Sequence, residues 1–380
     1  MISRHSLFSI LLVLVFGTTP GPIAAAAPVE TWVQVFKDPG YSALLGMTLT
    51  DEGSILVVGT TNHRHMPPYN GDVLLMSIDR NGDILWERTW GGDGFEQAWG
   101  VLPADDGFYV FGETDSYGIG DRDFFLLNTT ADGEEIWFRT YGTPQREWPY
   151  GALPLANGDL FLFGMSRSSS LGDDSYAVRV DTTGTVVWEY SLATAGDELI
   201  LDAIETEEGH IVLCLSVEQD GGVRALDADG SEIWSQRYEL DAWQFGSTLL
   251  PTDAGFLLAG FAMVRSGTRQ QVDVWLAEVD ASGELLWNKT FGEPTHDDYA
   301  QTMLQAADGS FILAGIGRGM PVFKIDGEGN VLWEHRLEDR SAFAARALIA
   351  LENGGLLVCG MKEVVPMQKY HGVLERLDLR

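Results

Sequence analysis

Four acidic residues occupy one place in a repeated frame. Glu96, Glu147, Glu198 and Asp298 each lie eleven residues before a glycine that closes a tight turn. The remaining repeats carry Ser42, Gln244 and Phe343 there. Carboxylates are hard oxygen ligands, so a partial ring of them near a channel mouth would suit Ca2+ or Mg2+. The same groups also cap loops by accepting backbone N–H bonds, and a repeated local motif favours that use.

A second acidic set comprises Asp72, Asp123, Asp174, Asp220 and Asp273, with Gly319 and His371 at the matching places of the last two units. Aspartate is expected where a loop turns into a strand and needs a side-chain acceptor. Ca2+ held between loop pairs is the alternative use. His63 and His65 form a His-x-His pair in the irregular stretch 60–71, a conceivable zinc or copper donor set with no cysteine beside it. His210, His296, His335 and His371 are scattered without ligand spacing. The chain has no Gly-x-Ser-x-Gly elbow, no His-Glu-x-x-His helix and no phosphate-cradling glycine loop.

The elements that must position these residues are set by a repeat. Trp32, Trp86, Trp137, Trp188, Trp234, Trp287 and Trp333 recur at intervals of 54, 51, 51, 46, 53 and 46 residues. A near-constant period of this size signals a stack of like units. Most units close on Asp-x-x-Gly-x-x-x-Trp, as in Asp79/Gly82/Trp86 and Asp181/Gly184/Trp188; Thr130 replaces the aspartate before Gly133/Trp137. Asp-Gly and Asn-Gly turns between short apolar runs predict antiparallel hairpins. In the second unit the strands are expected at 97–103, 108–111, 123–127 and 134–141. Four such strands in about 50 residues describe a propeller blade.

The chain ends complement each other. The last unit has three strands, near 344–350, 355–360 and 372–378, and no fourth. Residues 31–36, with Trp32, match a fourth strand that lacks its first three. The expected fold is therefore all-β, a seven-bladed β-propeller of four-stranded antiparallel blades, closed by the N-terminal strand completing the last blade. Closure removes two exposed sheet edges. Each indole is expected to pack between neighbouring blades, so Trp188→Ala should cost about 3–5 kcal/mol. Gly59, Gly112, Gly164, Gly260, Gly315 and Gly360 read as strand-end or bulge positions, and Leu215 breaks that series in the fourth unit.

The Asp-x-x-Gly-x-x-x-Trp phrase resembles the PQQ-like repeats of quinoprotein-like propellers. The units Gly120-Asp121-Arg122-Asp123-Phe124-Phe125-Leu126 and Thr89-Trp90-Gly91-Gly92 are similar still more closely to a group of bacterial and archaeal exported propellers. That resemblance spans the mature chain and implies fold; it implies little about activity. Quinoprotein dehydrogenases use adjacent cysteines and a calcium-bound cofactor, and the outer-membrane barrel-assembly propeller is lipid-anchored. This chain has neither adjacent cysteines nor a lipobox cysteine, so both resemblances are expected to stop at the blade.

Arg4 and His5 precede an apolar run, Leu7 to Phe16, and the small residues Ala24 to Ala27 offer a cleavage site. Residues 1–27 therefore read as a secretory signal peptide and 28–380 as one propeller domain. The two cysteines, Cys214 and Cys359, are expected to be free and buried. Acidic residues outnumber basic ones by 56 to 24, and a net charge of −32 opposes nucleic acid and anionic membranes as partners. The expectation is a secreted or periplasmic, monomeric, non-enzymatic propeller. It would bind a protein, glycan or other extracellular ligand through loops on one face, with no integral membrane segment and no certain cofactor beyond a possible use of Ca2+. The alternative is a carboxylate-dependent hydrolase or lyase at the channel mouth, with Glu147 the residue to test.

Overall fold

A computed structural model describes residues 28–36, 43–50, 52–61, 71–168, 172–192, 196–240, 243–266, 269–293, 295–337, 342–352, 354–365 and 369–379. The signal peptide expected at 1–27 and the His63/His65 pair lie outside these residues.

Short strands are connected as antiparallel meanders. β1 (Val29–Phe36) precedes a first sheet of β2 (Ala43–Leu49), β3 (Ile55–Thr60), β4 (Val73–Ile78) and β5 (Ile84–Trp90). A second sheet holds β6 (Glu96–Ala104), β7 (Gly107–Thr114), β8 (Asp123–Thr130) and β9 (Glu135–Tyr141). The third has β10 (Arg146–Pro154), β11 (Leu160–Ser168), β12 (Gly172–Val180) and β13 (Val186–Leu192). The fourth has β14 (Glu198–Glu205), β15 (Ile211–Val217), β16 (Asp220–Leu226) and β17 (Glu232–Tyr238). The fifth has β18 (Gln244–Pro251), β19 (Gly255–Ser266), β20 (Arg269–Asp280) and β21 (Leu285–Phe291).

The remaining strands are β22 (Tyr299–Gln305), β23 (Phe311–Ile316), β24 (Val322–Ile325), β25 (Val331–His335), β26 (Ala342–Ala350), β27 (Gly355–Val365) and β28 (Lys369–Asp378). With β1 they form one eight-stranded sheet. A single pairing, Ile316 with Ala344, joins its two four-stranded halves. In the second half β1 runs antiparallel along β28, from Val29 opposite Asp378 to Phe36 opposite Gly372. The fold is thus an all-β, propeller-like array of four-stranded antiparallel sheets. The expected strand positions hold within a few residues, the hairpins being longer than their apolar runs. β7, for example, continues to Thr114 because Glu113 and Thr114 pair with Gln97 and Glu96.

Turn chemistry explains the first half of the repeat phrase. Asp79 Oδ1 accepts the N–H groups of Asn81 and Asp83 at 2.8 and 2.9 Å, and the Gly82 N–H donates to the Asp79 carbonyl. Gly82 has φ +91°, a left-handed conformation that glycine adopts without a Cβ penalty. These bonds also hold the exposed Asp79 carboxyl below its usual range. Thr130 replaces the aspartate without losing the acceptor, since its Oγ1 takes the Glu134 N–H at 3.2 Å.

The innermost strands share a second device. Each first strand bulges, as between Ala98 and Gly100 opposite Gly112. A Cβ on Gly112 would lie 1.9 Å from the Gln97 carbonyl oxygen, so a side chain has no room there. Core clusters fill the space between neighbouring sheets. Val58 and Leu75 meet Val110 and Phe125, and Val322 and Trp333 meet Val358 and Leu377. A further cluster joins the last sheet to the first, through Leu357, Cys359 and Leu374 against Val57 and Met76. Cys214 and Cys359 are free, buried and in different clusters.

Of the repeat tryptophans, Trp333 is buried and the other six are half-buried at the sheet rim. Their rings lie against turn glycines of the neighbouring sheet, Trp32 on Gly82 and Trp86 on Gly133 among them. They sit on the last strand of each sheet and are only part-buried, so Trp188→Ala should cost about 3 kcal/mol, the lower end of the expected range.

Candidate functional site

The four carboxylates selected by sequence stand at the joins between sheets. Glu96 and Glu198 begin β6 and β14, Glu147 is the second residue of β10, Asp298 precedes β22, and all four are buried. The Glu96 N–H donates to the Gly71 carbonyl at 2.7 Å, and the Glu147 N–H to the Arg122 carbonyl at 2.9 Å. The Asp298 N–H likewise reaches the Val272 carbonyl at 2.9 Å. Each bond ties the start of one sheet to the third-strand region of the sheet before it.

Their side chains find local donors. Glu96 accepts from the Gly92 N–H and Thr114 Oγ1, both at 2.8 Å. Glu147 Oε1 accepts from Thr143 Oγ1 at 2.6 Å and Ser166 Oγ at 2.7 Å. Glu198 pairs with Arg224 at 2.7 Å, and Asp298 with Arg336 at 2.9 Å. Gln244 fills the equivalent place before the fifth sheet. Among the described residues, no three of these side chains gather their ligand atoms in one place.

The two acidic sets do meet in pairs. A Cβ on Gly91 would lie 2.2 Å from Asp72 Oδ1 and 2.8 Å from Glu96 Oε2. At Gly142 the same test finds Asp123 Oδ1 at 2.3 Å and Glu147 Oε2 at 2.6 Å. Glycine therefore makes room for two carboxylates. Asp123 Oδ1 and Glu147 Oε2 are both buried and without a hydrogen-bond partner. Burial raises both carboxyls above their usual range, and the Asp123 charge pushes Glu147 further. Among the others, Asp220 pairs with Arg237 at 2.7 Å and Asp273 accepts from Gln271 at 2.6 Å, while one oxygen of buried Asp174 has no partner.

Sequence reasoning missed two positions. Asp202 follows the β14 bulge, where the first three sheets have glycine, and reaches across to the fifth sheet. It accepts from Thr248 Oγ1 at 2.7 Å and the Leu249 N–H at 3.0 Å. Part of the residue is exposed, but its carboxylate turns inward, and burial pushes it up to about 6. The signal in the sequence was the loss of two repeat glycines in one unit, at 202 and 215. His335 is the other, since it joins Glu30 and Glu375 in a group whose ligand atoms lie within 4.8 Å of one another.

The two ends of each sheet differ. At one end, tight turns repeat almost unchanged, each closed by a bond such as Gly133 N–H to the Thr130 carbonyl. At the other, connections vary from two residues, 218–219, through eight, 115–122, to twelve, 61–72. The varied loops carry Tyr117, Ile119 and Trp243, which are 41%, 71% and 47% exposed. Tyr117 stacks on Trp90 at 5.3 Å between ring centroids, and Phe138 lies 4.1 Å from Trp90. A groove of about 770 Å³ lies at the tight-turn end between the first two sheets, with Glu52, Asp79, Asp105, Asp132 and Arg80 in its wall. Among the described residues, no helix is long and apolar enough to cross a membrane.

With this geometry, comparison with known proteins is informative about fold. A family model described as outer membrane protein assembly factor BamB matches residues 69–247 and again 219–363. No curated protein matches the sequence. Among solved structures, the WD40 β-propeller domain of Doa1 is 14% identical with a TM-score of 0.59, the match covering 93% of this chain and 97% of that one. YCF48 bound to D1 peptide is 12% identical with a TM-score of 0.56, covering 95% and 100%. Drosophila Plexin A in complex with Semaphorin 1b is 10% identical with a TM-score of 0.54, covering 94% and 88%.

Proposed function

The chain belongs to the family described as outer membrane protein assembly factor BamB, and we propose that it is an exported, non-enzymatic propeller that binds a protein or glycan ligand through its varied loops. On this reading residues 28–380 form one domain of seven blades. The two halves of the eight-stranded sheet count as separate blades, and β1 completes the last of them. Contacts between successive innermost strands support the count, because β26 touches both β22 and β2. A signal peptide at 1–27 would place the domain in the periplasm or outside the cell.

The observation that carries the binding surface is exposed Tyr117 and Ile119 beside half-buried Trp90 on the varied-loop end. Aromatic faces bury large area at little entropic cost, and they stack on sugar rings or apolar peptide side chains. YCF48 and Plexin A show that like folds are found with peptide and protein ligands. The groove at the other end is a weaker candidate, because Asp79 in its wall is committed to its own turn. A hydrolase or lyase would need an accessible carboxylate, and Glu96, Glu147, Glu198 and Asp298 are all buried.

The labelled protein applied to glycan and peptide arrays gives the test. Tyr117→Ala with Ile119→Ser should abolish capture of whichever probe the parent retains, with the fold retained by circular dichroism. Undiminished capture would move the binding surface elsewhere. Turnover of a glycan probe that disappears in Glu147→Gln would replace the binding reading with the catalytic one.

A further inference from the structure

Three side chains far apart in sequence meet where the first and last strands pair. Glu30 stands on β1, Glu375 on β28 and His335 on β25 of the adjoining half-sheet. One ligand atom from each lies within 4.8 Å of the other two, the one such group among the described residues. His335 Nε2 is 2.8 Å from Glu375 Oε1. Glu375 is fully buried, and its Oε2 has no hydrogen-bond partner. A carboxylate oxygen enclosed in this way is costly unless a cation or donor completes it. His335 reaches only the other oxygen.

We propose that Glu30, His335 and Glu375 bind a divalent transition-metal ion of the Zn2+ class, clamping β1 and β28 to β25. The donor set selects the metal. Ca2+ takes six to eight oxygens and has little use for imidazole. Zn2+ accepts mixed nitrogen and oxygen ligands at about 2.0–2.2 Å in four-coordinate sites. Three protein ligands leave one position for water, and the exposed Glu30 leaves a side open through which the ion enters. Ligand atoms around such an ion stand roughly 3.3–3.5 Å apart, so the present group needs only small side-chain shifts to close on it. The clamp takes ligands from both ends of the described chain, so binding is linked to keeping the terminal strand in place. The site is separate from the varied-loop surface proposed for ligand capture and stands whether or not that surface binds anything.

The test uses the full mature chain, stripped with EDTA, dialysed and titrated with ZnCl2 by calorimetry at physiological salt, with melting followed in parallel. The expected result is one saturable site per chain and a higher melting temperature with Zn2+. Glu30→Gln and His335→Gln should each weaken that site by at least about tenfold, or about 1.4 kcal/mol. Glu30 is exposed, so Glu30→Gln should keep the fold, checked by circular dichroism; Glu375→Gln alters a buried position and is secondary. His63→Ala with His65→Ala should leave the site intact. No saturable site, a site unchanged in Glu30→Gln and His335→Gln, or a site lost in the His63/His65 variant would each overturn the proposal. Displacement of Zn2+ by equimolar Ca2+ would overturn it as well.

Discussion

Trp32 lies against Gly82. A Cβ on that glycine would sit 3.6 Å from the Cη2 and Cζ3 atoms of the indole, in ordinary van der Waals contact. Trp32 belongs to β1, paired with β28, whereas Gly82 turns the chain between β4 and β5. The same contact repeats around the molecule, with Trp86 on Gly133, Trp137 on Gly184, Trp188 on Gly230, Trp234 on Gly283 and Trp287 on Gly329. The glycine and tryptophan of one phrase thus serve two different contacts, one with the preceding sheet and one with the following.

Tightness varies, and stability should follow it. A Cβ on Gly133 would come within 2.8 Å of Trp86 Cζ3, whereas one on Gly209 would meet nothing within 4 Å. Both glycines have positive φ, near +78° and +79°. Gly209→Ala should cost about 1–2 kcal/mol from backbone conformation alone. Gly133→Ala should cost about 1–3 kcal/mol more from overpacking, read from urea denaturation of both variants.

Arg122 and Glu113 form a buried ion pair at 2.8 Å, and the guanidinium also lies over the Phe95 and Trp148 rings. Removing one partner strands the other. Arg122→Met alone should cost about 3–5 kcal/mol, and Arg122→Met with Glu113→Leu should recover much of that. A double variant no more stable than the single one would contradict the assignment.

Burial raises the folded-state carboxyls of Asp123 and Glu147, so the folded chain holds protons there more tightly than the unfolded chain. Stability from this pair is therefore greatest on the acid side and falls as pH rises from the ordinary carboxylate range through the raised folded values. Glu147→Gln should flatten that slope in denaturation series from pH 4 to 8. Ca2+ bound at the pair would act in the opposite sense, raising the melting temperature at neutral pH. Equal melting in Ca2+ and in chelator would leave the proton as the pair's partner.

Asp202 gives a sharper window. Its carboxyl is pushed from 3.8 up to about 6 by burial, so stability should fall as pH rises from about 4 through about 6 and level off above. The fall should be about 3 kcal/mol. Asp202→Asn should remove it, provided the amide oxygen still accepts the Thr248 hydroxyl and the Leu249 N–H; denaturation across pH 4–7 measures both chains.

Much of the fold was legible because its signals are local. Asp79 and Gly82 make their turn bonds within four residues, and the strand alternation between such turns needs no knowledge of partners. Thr130 could be read as a tolerated variant for the same reason. The acidic positions were legible as positions but not as contacts. Whether Glu147 faces Asp123, a metal or solvent depends on how one sheet leans on the next.

The sequence by itself determined the repeat period, the turn chemistry and the four-strand unit, since the turn and strand signals are written in residues a few positions apart and recur with each unit. Only the tertiary structure decided that Trp32 meets Gly82, that Asp202 reaches Thr248 and that Glu30, His335 and Glu375 share one space. Those contacts join residues from 40 to several hundred positions apart. They are set by the packing of whole sheets, and no local pattern of side chains encodes that packing.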